Sequence, residues 1–134
     1  MASKSYEHLI LIGEDSNFNL NSLNEQINGI NWGANQVEIN AADDSISLTI
    51  NCWNFEIGLN DSEHILYESQ EIANNNAKNH KLFESIKCCK RRLELGGDPD
   101  FDMEYFNDFC SVLEKIESFS SIYTWNPRGG FLNL

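Results

Sequence analysis

The sequence predicts an α+β fold: one domain over residues 1–134, with a mostly antiparallel sheet and two to three helices packed on it. Three observations carry this. Strand-length apolar runs recur along the chain, and two of them are joined by a short polar turn as a hairpin. The strands are grouped rather than strictly alternating with helices, which suggests a sandwich with the helices on one side of the sheet. A chain of 134 residues, 41% hydrophobic and 11% aromatic, can bury a core without disulfides or metal.

The elements follow in order. His8 to Gly13 is a short continuous apolar run that reads as a buried strand. Ser22 and Glu25 have capping-box spacing, so Ser22 is the expected start of a short helix. Leu23, Ile27 and Ile30 share its apolar face, and Gly29 and Gly33 end it. Val37, Ile39 and Ala41 alternate with polar residues, as do Ile46, Leu48, Ile50 and Cys52. The turn from Ala42 to Ser45 joins them as a hairpin. The parity then slips by one at Trp53, Phe55, Ile57 and Leu59. A slip of one residue exchanges the faces of a strand, so a bulge or bend is expected near Cys52-Trp53.

Asn60 to Glu63 is turn-like, and His64 to Tyr67 is expected to return as a strand. Glu68 to Lys87 reads as a helix with a break near Asn76, because the asparagine-rich centre has low helix propensity. Arg91 to Leu95 is a strand that stops at Gly96-Gly97. Asp98-Pro99 has the chemistry of a helix start, with Asp100, Asp102 and Glu104 in the first turns. Tyr105, Phe109, Val112, Leu113 and Ile116 form the buried stripe of that helix to about Ser118. Ser121 to Trp125 is a last strand, and Phe131 to Leu134 an edge strand.

Charge is the strongest functional clue. The net charge is −12, and all of it resides in residues 5–77, which hold twelve carboxylates and no Lys or Arg. Such a segment cannot neutralise itself; salt, a cation or a basic partner must screen it. Nine bases against twenty-one acids repel phosphate, so a nucleic-acid partner is not expected. The longest early apolar run, Leu9 to Ile12, is too short for an export signal or a membrane span. The expected location is therefore cytoplasmic, with four reduced cysteines and no membrane partner.

No complete catalytic or metal motif is present. Asp98, Asp100 and Asp102 share the spacing of a calcium loop, but Met103 and Phe109 stand where it needs Gly and Glu. Cys88 and Cys89 precede Lys90-Arg91-Arg92, yet only His80 is near enough in sequence to be considered as a base. His8, His64 and His80 lack metal spacing. The expectation is a protein without metal or cofactor that is not an enzyme.

In size, acidity, α+β organisation and lack of catalytic motifs, the chain resembles the small, acidic, cytoplasmic immunity proteins of bacterial polymorphic toxin systems. The resemblance is one of general character and carries over no individual residue. It implies an inhibitor that covers the cleft of a basic, nuclease-like toxin domain. The partner-binding residues expected from loop acids are Asp43, Asp44, Asp61, Glu63, Glu68 and Glu71, with Trp53 as the apolar anchor. Two alternatives stay open: an enzyme or small-ligand binder with a scattered site, and a homo-oligomer joined through the basic segment 87–92.

Overall fold

β1 (Ser5–Ile12) opens the chain, and the sheet is assembled around it from both sides. The computed structural model describes residues 4–134. After α1 (Leu20–Asn28), the strands β2 (Val37–Ala41), β3 (Ser45–Ile50) and β4 (Trp53–Asn60) form a meander. Two helices follow, α2 (His64–Asn76) and α3 (Phe83–Lys87). β5 (Arg91–Gly97) then inserts between β4 and β1 and joins the meander to the first strand. After α4 (Phe106–Glu117), β6 (Ile122–Asn126) pairs with the free edge of β1, and the two-residue β7 (Gly130–Phe131) follows it. The order is β2-β3-β4-β5-β1-β6-β7, antiparallel throughout. The fold is α+β on an antiparallel sheet.

The alternation explains how the layers form. Even-numbered residues of β1 and β3 and odd-numbered residues of β4 and β5 meet on one face. Ile10, Ile12, Ile46, Leu48, Ile50, Phe55, Ile57, Leu93 and Leu95 pack there against Leu23 and Ile27 of α1 and Phe109, Val112 and Ile116 of α4. On the other face, Leu11 and Tyr123 pack against Ile72 and Ala73 of α2, Ile86 of α3, and Cys89. Helices therefore cover both sides, not one. This is why β1 is continuously apolar from Leu9 to Ile12, while β3 alternates: no helix covers the second face of the meander. Ser47 there donates to Glu56 at 2.8 Å, and Thr49 to Asn54 at 2.9 Å.

Four expectations are corrected. The N-cap of α1 is Asn19, whose side chain accepts from the Ser22 N–H; Ser22 lies inside the first turn. The parity slip is not a bulge but a two-residue hairpin. Asn51 and Cys52 make the turn, Asn51 takes φ 56°, and Ile50 faces Trp53 directly across it. Opposed residues share a face, so the apolar parity must change there. His64 to Tyr67 is the first turn of α2 and not a strand, because Ile65, Ser69, Ile72 and Ala73 make one buried helical stripe. Asp98-Pro99 does not start α4. The Asp98 carboxylate is engaged by Asn54 of β4, and Met103 has φ 57°, so the helix begins only at Phe106. The expected break near Asn76 is present, between α2 and α3. At the C-terminus, Leu132 to Leu134 lie beyond β7.

Candidate functional site

Antiparallel pairing decides which loops share an end of the sheet. Ser45 pairs with Gly58, Asn60 with Arg92, and Ile12 with both Arg91 and Ile122. The β2–β3 turn, the segment from Asp61 to Glu63, the loop after β1 and the segment before β5 therefore emerge at one rim. The Leu59 N–H donates to the Asp44 carbonyl at 2.7 Å, which ties the hairpin tip to the end of β4. Asp43, Asp44, Asp61, Glu63, Glu14 and Asp15 all stand exposed on this rim.

The basic triplet is used up internally. Lys90 pairs with Glu14 at 3.1 Å. Arg92 is 6% exposed, and its guanidinium lies between Glu68 at 2.9 Å and Glu94 at 2.8 Å. Arg91 donates to the Phe18 carbonyl at 3.3 Å and lies over the Phe18 ring. Among the described residues, Glu14 and Glu68 are the members of the base-free segment that gain a Lys or Arg partner. The other ten carboxylates have none. These pairings also leave Arg91 and Arg92 little capacity to serve a neighbouring copy.

The sequence-derived residues thus divide. Asp43, Asp44, Asp61 and Glu63 come together at the rim, and Glu71 lies exposed on α2. Glu68 is engaged by Arg92 and, at 3.2 Å, by His64. Trp53 is a core residue, 4% exposed, and is unavailable as a surface anchor. The aromatic at the rim is Tyr67, which sequence reasoning missed. It is 70% exposed, one helical turn from both Glu63 and Glu71. It lines a depression of about 370 Å³ with Asp61, Ser62, Glu63, Leu66 and Lys90. Reading His64 to Tyr67 as helix would have found it, since Tyr67 falls off the Ile65–Ser69–Ile72 stripe.

Other groups capable of chemistry are turned inward. His8 is buried and lines a depression of about 340 Å³ between β4, β5 and β1. Its Nδ1 lies 3.0 Å from the Tyr6 carbonyl, and its Nε2 faces the Asn126 amide, so no carboxylate orients it as a base. Burial, followed by the neighbouring Cys88, pushes the Cys89 thiol up to about 12, away from nucleophilic use. Among the described residues, no three His, Cys, Asp or Glu side chains gather to hold a metal. No helix among them is long and apolar enough to cross a membrane.

The thiols give a direct check on this geometry. None of the four cysteines is bridged; Cys52 is exposed, Cys88 and Cys110 are half-buried, and Cys89 is buried. With a chromogenic disulfide reagent at pH 8, Cys52 is expected to react first and Cys89 only on unfolding. Four thiols should titrate in denaturant. Fast native-state labelling of Cys89 would contradict the packing of α3 on the sheet.

No protein-family profile, curated protein or solved structure matches the chain.

Proposed function

We propose that the chain is an acidic protein-binding module for a basic protein, acting as an immunity protein does when it covers a basic toxin domain in the bacterial cytoplasm. One observation carries this reading. Among the described residues, ten carboxylates of the 5–77 segment lack a Lys or Arg partner, and four of them, Asp43, Asp44, Asp61 and Glu63, border one rim beside the exposed ring of Tyr67. A one-sided field of this kind attracts a basic protein from a distance and speeds encounter. The ring supplies what exposed charges do not. An exposed ion pair is worth about 0.2–1 kcal/mol, whereas a desolvated aromatic anchor is worth about 2 kcal/mol or more.

The test compares tagged wild type with the variant Asp43→Asn, Asp44→Asn, Asp61→Asn, Glu63→Gln on host extract, starting with the product of the neighbouring gene. Wild type is expected to capture basic proteins fastest at low salt, with an on-rate that falls steeply toward physiological ionic strength. The variant should show a slower on-rate for the same proteins. Tyr67→Ala should instead raise the off-rate, about 30-fold for an anchor of that size. Retention indifferent to salt and to all four substitutions removes the electrostatic reading.

A further inference from the structure

At the opposite end of the sheet, residues 98–105 form a loop that displays apolar side chains to solvent. Phe101 is 81% exposed and Met103 57%, and Phe106, the first residue of α4, is 38% exposed beside them. A loop that leaves a Phe and a Met in water usually does so through disorder or through use. This loop is held at many points. The Trp53 indole N–H donates to the Asp98 carbonyl at 2.8 Å, and the Asp98 N–H to the Asn54 carbonyl at 2.9 Å. The Asp98 carboxylate accepts from the Asn54 backbone and side chain, both at 3.0 Å. The Asp100 N–H donates to Ser5 Oγ at 2.8 Å. The Asp100 carboxylate accepts from the Tyr6 hydroxyl at 2.6 Å and from the Glu104 and Tyr105 N–H groups at 3.0 and 2.9 Å. Met103 takes φ 57°, a conformation that a residue with a side chain adopts at a cost.

The polar groups of this loop therefore order the backbone, while Phe101 and Met103 are left outside. We infer that the Phe101–Met103 knob is a second docking element, which inserts into an apolar pocket rimmed by Lys and Arg on a partner protein. Charge selects that occupant. Asp98, Asp102 and Glu104 stand exposed around the knob, and residues 93–114 contain no Lys or Arg. A two-fold symmetric contact with a second copy of the chain would bring the same acids face to face. An anionic lipid surface or a nucleic acid would be repelled for the same reason. A basic-rimmed pocket takes the two apolar side chains out of water and pairs the acids around them, the arrangement of an interface anchor within a polar rim.

This element rests on the reading of the chain as a protein-binding module, yet it is spatially separate from the acidic rim. Arg91 begins β5 at the rim and Gly97 ends it beside the loop, a span of about 20 Å at the usual rise per residue. One large partner or two separate ones fit that spacing, and the experiment treats each surface by itself.

A photo-crosslinking phenylalanine is placed at position 101 of the full chain in the host, and at exposed Asn21 as a control. The expected result is a crosslink specific to position 101, to a protein whose captured peptide carries Lys or Arg beside apolar residues. With that purified protein, Phe101→Ser with Met103→Ser is expected to raise Kd about 30-fold or more. Both side chains are exposed, so the double variant should keep the wild-type melting temperature. No crosslink above the control overturns the inference. So does a crosslink to a second copy, an unchanged Kd, or binding to phosphatidylglycerol vesicles that the double variant loses. The four-acid rim variant, measured on the same protein, separates the two surfaces. Loss with the rim variant alone overturns the knob and leaves the rim; loss with the knob variant alone does the reverse.

Discussion

Trp53→Ala is expected to cost about 3–5 kcal/mol of stability, in the range of large-to-small core substitutions, and to lower the melting temperature by roughly 10 °C or more. The indole is stacked on Tyr105, with centroids 5.0 Å apart and planes 7° apart, and on Phe55 at 5.5 Å. The Tyr6 ring meets it edge-on at 5.8 Å. Its far edge lies directly over β5: a Cβ on Gly97 would come within 2.5 Å of it, so the strand has no side chain to spare for that space. Alanine would leave a cavity that backbone from β4, β5 and the 98–105 loop cannot collapse to fill. It would also remove the donor to the Asp98 carbonyl. Trp53→Phe keeps most of the stack and loses the hydrogen bond, so about 1–2 kcal/mol is expected. Thermal unfolding followed by far-UV circular dichroism separates the cases. An alanine variant that melts with wild type would mean that the indole is not packed as described.

The burial of Trp53 was legible in the same pattern that located its strand. Trp53, Phe55, Ile57 and Leu59 alternate with Asn54, Glu56 and Gly58, and three of those four apolar positions are buried. An aromatic in phase with a buried stripe belongs to the core, whatever acids follow it in sequence. The β2–β3 hairpin was legible because one face of the meander meets water, so its alternation is clean. β1 was legible as a strand but not as the platform for two helical layers. Its continuous run Leu9 to Ile12 is the signature of a strand buried on both faces, and it fixes no partner.

The rim could not be read from the chain. Asp43 and Asp61 become neighbours because β3 and β4 are antiparallel and β5 returns between β4 and β1 after two helices. That is tertiary information, and local spacing holds none of it. The Asp98-Pro99 signal failed for a related reason. The cap chemistry is present, but the Asp98 carboxylate is bound by Asn54 across the sheet, and Asp100 receives the N–H groups nearest α4 instead. Sequence identified the correct residue types for a helix entry; long-range contacts reassigned their roles.

That reassignment makes Asp100 the fastener of the loop, and Asp100→Ala is the sharpest test of it. The carboxylate accepts three hydrogen bonds, one from the Tyr6 hydroxyl and two from backbone. Bonds to a charged group contribute about 1.5–3 kcal/mol each in favourable cases, and these act as one cluster, so a loss of about 2–4 kcal/mol is expected. The loss should be local first. Hydrogen exchange at Glu104 and Tyr105 should accelerate far more than exchange in β3, because opening the loop need not open the sheet. Asp100→Asn retains an acceptor oxygen and should recover part of the difference. The pH dependence supplies a second reading. Burial, then the hydrogen bond to Asp100 and its charge, raise the Tyr6 phenol above its ordinary value near 10. A group held protonated in the folded state contributes stability that is fully present below its unfolded pKa and is lost as pH rises beyond it. Wild type should therefore lose stability from about pH 10 upward. The Asp100→Ala variant should lose less over that range, since two of the causes depend on the carboxylate. Equal alkaline slopes and unchanged exchange at Glu104 and Tyr105 would show that Asp100 does not hold the loop. The exposed Phe101 and Met103 would then lack the rigid presentation on which a docking knob depends.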